Sequence, residues 1–150
     1  NMELAWETLD ENIKDKIKDK KAIHSSLGAE FFLDNYKRME GNKKKNYNEY
    51  SNEHPMVRTH PETGKPSLFG CLGYIVGIKG MTTNDAFELL SELITWQTKP
   101  EFVYRHRWAS NMLVLWDNRC LLHCATGGYE GYSRYLLRTT VADDLKWYSP

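Results

Sequence analysis

His123 lies in the apolar segment Leu121-Leu122-His123-Cys124-Ala125, where an imidazole is either a satisfied core residue or a metal ligand. Arg134 and Arg138 stand four apart, so in a β-conformation they share one face. Two guanidiniums on a strand that continues Tyr135-Leu136-Leu137 are costly unless an anion or carboxylate meets them. Asp117 or Glu130 would supply structural salt bridges, and an anionic ligand is the alternative. Hairpin pairing sets the early part of this strand beside His123, although a one-residue slip would turn both arginines away. In the right register, a metal ligand and an anion site lie side by side. Cys120, His123 and Cys124 are zinc-ligand types, but structural zinc takes four ligands and the remaining cysteine, Cys71, stands alone. His60-Pro61-Glu62 has the H-x-E form of a two-ligand iron motif, yet the proline and the following Thr63-Gly64 place it in a turn, where a plain loop histidine is expected. No glycine-rich nucleotide loop and no Ser/His/Asp set stands out.

The elements that must position these residues follow from periodicity. Thr8 and Glu11 form a capping box, and Leu9, Ile13 and Ile17 recur on one face, with Lys18, Lys20 and Lys21 in the last turn; this predicts an amphipathic surface helix. A second helical stretch carries Phe31, Phe32, Tyr36 and Met39 and stops at Gly41. Lys43 to Lys45 and the Asn-rich run to Asn52 read as a solvated loop. Pro61-Glu62-Thr63-Gly64 is a turn signal between two short strands, Met56–His60 and Ser67–Phe69. A third helix is predicted over Asn84–Gln97, with Phe87, Leu90, Leu93, Ile94 and Gln97 on its apolar side and Pro100 beyond its end. Everything after it reads as β-structure. Glu101–Trp108 alternates strictly, Met112–Trp116 is apolar on both sides, and Cys120–Thr126 and Ser133–Val141 flank the loop Gly127-Gly128-Tyr129-Glu130-Gly131. Trp96, Trp108, Trp116, Phe102 and Tyr104 fall at core or half-core positions by their spacing.

Composition narrows the function classes. At 150 residues the chain has the length of one domain without internal repeats, and 41% hydrophobic with 27% charged residues is a globular balance. Twenty basic residues offset twenty acidic ones, so the broad basic field of a nucleic-acid or anionic-membrane binder is lacking and a small partner is expected. The longest apolar run, Met112–Trp116, is far short of the ~20 residues that span a bilayer, and the N-terminal stretch has no apolar signal core. Three cysteines are too few and too odd for a disulfide framework, which suits a reducing compartment; a cytoplasmic protein is expected. Self-association into a homo-oligomer is left open.

Read in order, His54-Pro-Met-Val-Arg-Thr-His-Pro-Glu-Thr-Gly64, Pro100-Glu-Phe102, Arg105-His-Arg-Trp108, Trp116-Asp-Asn-Arg119 followed by His123, and Arg134-x-x-x-Arg138-Thr139 resemble the C-terminal half of the taurine dioxygenase family, which includes the 2,4-dichlorophenoxyacetate dioxygenases. The match runs from Ala5 to Asp143. The resemblance implies an α+β, mainly β chain: a double-stranded β-helix (jelly roll) with flanking helices, incomplete here. It implies a non-haem Fe(II), 2-oxoglutarate-dependent oxygenase that uses O2 and acts on a small organic anion, a sulfonate, sulfate ester or carboxylate. By the same resemblance His123 is the distal histidine of a 2-His-1-carboxylate triad and Arg134 holds the distal carboxylate of 2-oxoglutarate. Arg138 faces the substrate's anionic group, and Tyr74 lines the substrate pocket. The family's H-x-D pair lies upstream of the matched half and does not occur in this sequence. The chain is therefore expected to be the C-terminal half of a single dioxygenase domain, inactive by itself. The alternative is a non-catalytic jelly-roll module that binds a carboxylate.

Overall fold

The computed structural model of the protein describes residues 1–26, 28, 50–70 and 73–141. The predicted helix around Phe31–Met39, the Lys43–Lys45 loop and Cys71 lie outside these residues. The single N-terminal helix expected from the capping box is two short ones, α1 (Met2–Glu7) and α2 (Glu11–Ile17). Asp10, not Thr8, caps α2: its side chain accepts from the Asn12 amide at 2.9 Å, while Thr8 closes α1 by donating from its hydroxyl to the Leu4 carbonyl at 2.8 Å. The short Asp10 carboxylate reaches the free amides directly and adds favourable charge at the helix start, so it displaces Thr8 from that role. Leu9 and Ile17 are nonetheless buried, as their spacing predicts.

The chain then turns into β1 (Lys21–Ser25), which pairs antiparallel with β2 (Ser51–Pro55) on one side and with β5 (Ile75–Ile78) on the other. Ala22 faces His54 across the first ladder, and a register shift between Ile23 and His24 marks the second. β2 begins inside the run read as loop, and β1 begins at Lys21, read as the end of a helix. A separate two-stranded sheet joins β3 (Val57–Thr59) to β4 (Pro66–Leu68), with Arg58 opposite Ser67. This is the predicted hairpin. Its turn is closed by the Gly64 amide donating to the His60 carbonyl at 2.8 Å, with Gly64 at φ +70°, a conformation glycine adopts without a Cβ penalty. Met56 links the two sheets: its amide donates to the Lys20 carbonyl and its carbonyl accepts from Phe69.

α3 (Thr83–Gln97) starts one residue before its predicted bound, with the Thr82 hydroxyl accepting from the Asp85 amide at 3.2 Å. Its buried stripe is Ala86, Leu89, Leu90, Leu93 and Gln97. Phe87, expected on that side, is 50% exposed, because the stripe that meets α1 and β5 passes one residue away from it. The short 3-10 turn Pro100–Phe102 follows, and Phe102 is buried against Trp96 with ring centroids 5.6 Å apart.

From here the structure departs from expectation. Residues 103–141 contain no helix and no strand, so none of the four strands read from Glu101 to Val141 is formed. Leu113 and Leu137 are each 86% exposed, and Tyr104, Leu115 and Tyr135 are similarly open. Trp108, expected in a half-core position, is exposed. An alternating sequence becomes a strand only when neighbouring strands take up its amides and carbonyls, and none of the described strands does so. The described architecture is thus mixed helices and antiparallel strands with no closed barrel. Among the described residues no helix is long and apolar enough to cross a membrane.

Candidate functional site

Of the predicted site residues, His123, Arg134 and Arg138 stand on the open part of the chain and Tyr74 on the folded body. His123 is exposed, its ring tilted against Trp116 with centroids 4.9 Å apart, and no hydrogen bond holds its nitrogens among the described residues. Arg134 is exposed with its guanidinium over the Tyr129 ring at 5.1 Å, and Arg138 is exposed. Tyr74 is also exposed, at the turn before β5, where its carbonyl accepts from the Ser25 amide at 2.8 Å. The hairpin meant to bring His123 beside the arginines is not formed in these residues. Neither proposed salt-bridge partner reaches them: Asp117 is taken by Arg119, and the Glu130 carboxylate accepts from the Gly128 amide at 3.1 Å. The zinc set does not assemble either, since Cys124 is exposed and Cys120 groups instead with His60 and Asp117.

That last grouping is what the sequence did not disclose. His60, read as a loop histidine, is buried with only 5% of its side chain exposed. Its Nδ1 accepts from the amides of Glu62 and Thr63, both at 3.3 Å. The ring proton therefore sits on Nε2, which donates to Asp117 Oδ2 at 3.1 Å. Arg119 closes on the same carboxylate: Nη2 donates to Oδ2 at 2.6 Å, Nε to Oδ1 at 2.9 Å, and the Arg119 amide to Oδ1 at 2.8 Å. Its Nη1 donates to Glu62 at 3.1 Å, so the guanidinium ties the 60–64 turn to the 117–121 turn. These bonds, led by those from the Arg119 side chain, hold the Asp117 carboxyl well below the usual carboxylate range. The same pairing raises Arg119, and burial pushes the Cys120 thiol up.

His60, Asp117 and Cys120 offer ligand atoms within 4.8 Å of one another, a spacing a metal ion would accept. A cation there would have to displace Arg119 from both carboxylate oxygens and share the space with its positive charge. The grouping is an ion-pair network. A pairing signal existed only in hindsight: the turn His60-Pro-Glu-Thr-Gly64 and the Trp116-Asp-Asn-Arg119 run each hold one half.

A second histidine cluster lies on the first sheet. The His24 ring meets His54 edge-on at 4.9 Å and stacks on Phe69 at 6.1 Å, while Arg58 lies over Phe69 at 3.9 Å. Burial, then the proximity of His54 and Arg58, pushes His24 down to about 4. Its Nε2 is buried without a hydrogen-bond partner among the described residues. Gly70, at φ +126°, makes room for it: a Cβ there would come within 2.8 Å of Ile75 and 3.2 Å of the His24 ring.

Fold and sequence together define the class. Residues 1–140 match the family described as taurine catabolism dioxygenase TauD, TfdA family, and the chain belongs to that family. It is 33% identical over 147 residues to the alpha-ketoglutarate-dependent 2,4-dichlorophenoxyacetate dioxygenase of Cupriavidus pinatubonensis, covering 96% of this chain and 49% of that protein. It is also 33% identical over 153 residues to the alkylsulfatase of Acinetobacter baylyi, covering 97% and 47%. Among solved structures, AAD-2 in complex with Mn(II) and N-oxalylglycine superposes with a TM-score of 0.59 at 29% identity, over 73% of this chain and 42% of that one. The chain spans about half the length of the curated relatives it matches.

Proposed function

We propose that the protein is a non-haem Fe(II), 2-oxoglutarate-dependent dioxygenase that hydroxylates a small organic anion. The observation that carries this reading is the order His123, Arg134, Arg138 inside the family match, on a segment that leaves all three side chains exposed and clear of ion pairs among the described residues. The relatives named above are alpha-ketoglutarate-dependent or act on alkyl sulfates, and a related crystal structure holds Mn(II) with N-oxalylglycine. In this reading the chain forms the C-terminal half of a jelly roll, and strands from the other half pair with residues 103–141.

The described residues fit an iron centre in part. His123 offers an imidazole with no competing hydrogen bond, and the remaining ligands of such a centre are not found beside it among the described residues. When bound, a ferrous ion supplies the oxidation of a C–H bond by O2, coupled to conversion of 2-oxoglutarate to succinate and CO2. His123 would hold the metal. Arg134 would pair its planar fork with the far carboxylate of 2-oxoglutarate, and Arg138, about 13 Å further along at ~3.3 Å per residue, is free to read a second anion. Tyr74 would wall the substrate pocket.

The test is succinate release by the intact protein on a panel of taurine, alkyl sulfates and aryloxyacetates, each set against an uncharged analogue. Turnover of at least one anion, with Arg138→Gln raising its KM strongly and leaving 2-oxoglutarate affinity nearly unchanged, supports the assignment. Equal turnover of neutral analogues would remove the anion-reading role. No succinate with any member of the panel would favour a carboxylate-binding module without catalysis.

A further inference from the structure

Within the open segment, the turn Asp117–Leu121 is bound to the helical and sheet body at several points. His60 donates to Asp117, and Arg119 donates to Glu62 at 3.1 Å. The Arg119 carbonyl accepts from the buried Ser67 hydroxyl at 3.5 Å, and the Cys120 carbonyl accepts from the Met2 amide at 3.0 Å. Internally the turn closes with the Leu121 amide donating to the Asp117 carbonyl at 3.1 Å. Its two arms carry Trp116 and His123, whose rings are tilted against each other at 4.9 Å, and Trp116 is itself tied to the turn by its Nε1 donating to Asn118 at 2.8 Å.

We propose that His60, Asp117 and Arg119 are positioning residues that set where and in which direction His123 leaves the body; this rests on the reading of His123 as a metal ligand. Both Asp117 oxygens are saturated, so the turn has one arrangement of its donors, and His60 is itself fixed by two backbone amides and the Gly64-closed turn. Removing the carboxylate takes the Arg119 fork's shared partner away, frees the His60 donor and leaves the turn held to the body by two backbone carbonyls and the Arg119–Glu62 pair. A ligand displaced by an ångström binds its metal poorly even when the fold survives.

Mn(II) affinity of the intact protein, followed by the electron paramagnetic resonance signal of the free ion, reads this directly, with circular dichroism confirming that each variant is folded at the temperature used. Asp117→Asn should weaken Mn(II) at least tenfold. Leu90→Ala, which destabilises the core of α3 without touching the turn, should lower Tm by as much or more and leave Mn(II) affinity within about twofold. His60→Gln, which keeps an N–H donor, should bind Mn(II) far better than His60→Ala; this pair carries the test if Asp117→Asn does not fold. Unchanged Mn(II) affinity in folded Asp117→Asn or His60→Ala would reduce the network to a stability element and overturn the proposal. Unchanged affinity in His123→Ala would instead sink the ligand assignment on which it rests.

Discussion

The described residues up to Phe102 and residues 103–141 belong to one chain and behave as opposites. The first region closes its backbone bonds in two small sheets and packs α1 and α3 around a shared apolar core that includes Leu90 and Phe102. The second is richer in tryptophan, tyrosine and leucine, yet most of those side chains are exposed. Burial follows from available partners, and hydrophobic residues without them stay exposed. All three residues with the clearest chemical promise, His123, Arg134 and Arg138, lie in the open region, downstream of the Asp117–Leu121 turn that anchors it.

The contrast should be largest for paired leucine truncations. In the 150-residue chain Leu90→Ala, at a position 5% exposed, should cost about 2–5 kcal/mol in urea unfolding, whereas Leu113→Ala should stay within about 0.5 kcal/mol. Equal losses would show that the open segment packs as a core of its own. Gly70→Ala should follow at about 1–3 kcal/mol, because a side chain at φ +126° is strained and its Cβ meets Ile75 and His24; a neutral result would mean that the His24 cluster is loose.

A smaller effect should separate the two histidine environments by pH. Folding holds His24 near 4 against an ordinary value of 6.5, so between these values the unfolded chain binds more protons than the folded one. Stability from His24 is therefore complete above about 6.5 and is lost as the pH falls toward about 4. After allowance for solvent screening the loss is on the order of 1–2 kcal/mol, and His24→Leu should flatten it. Asp117 is shifted in the same direction but in a more acidic window: its depressed value contributes stability above the ordinary carboxylate range, lost only in stronger acid. A single acid transition unaltered by His24→Leu would contradict this order. The smallest signal should come from hydrogen exchange, where the amides of Arg119 and Leu121, bonded to Asp117, exchange more slowly than those of 132–141.

What could be read in the sequence divides along the same line. The hairpin around Pro61–Gly64 and the helix ending at Gln97 are legible because each is specified by near neighbours: a proline-glycine turn and a repeating apolar stripe. β1 and β5 are not, since Lys21–Ser25 and Ile75–Ile78 are short and become strands only through each other and β2. The alternation from Phe102 to Trp108 is real, yet alternation states which faces a strand would have and does not provide its neighbours. The environment of His60 is not legible for a related reason: its main partner, Asp117, is remote in sequence, and no local pattern links them. The site residues were found by their order within a family motif, and their roles rest on that order.

The most direct test of the central claim is a comparison of His123→Ala and Arg134→Ala in the intact protein, measuring succinate release against 2-oxoglutarate concentration. The account predicts that His123→Ala releases no succinate above background at any concentration, while Arg134→Ala retains turnover but needs at least tenfold more 2-oxoglutarate. Succinate release by His123→Ala at the wild-type rate, or an unchanged 2-oxoglutarate requirement in Arg134→Ala, would contradict it.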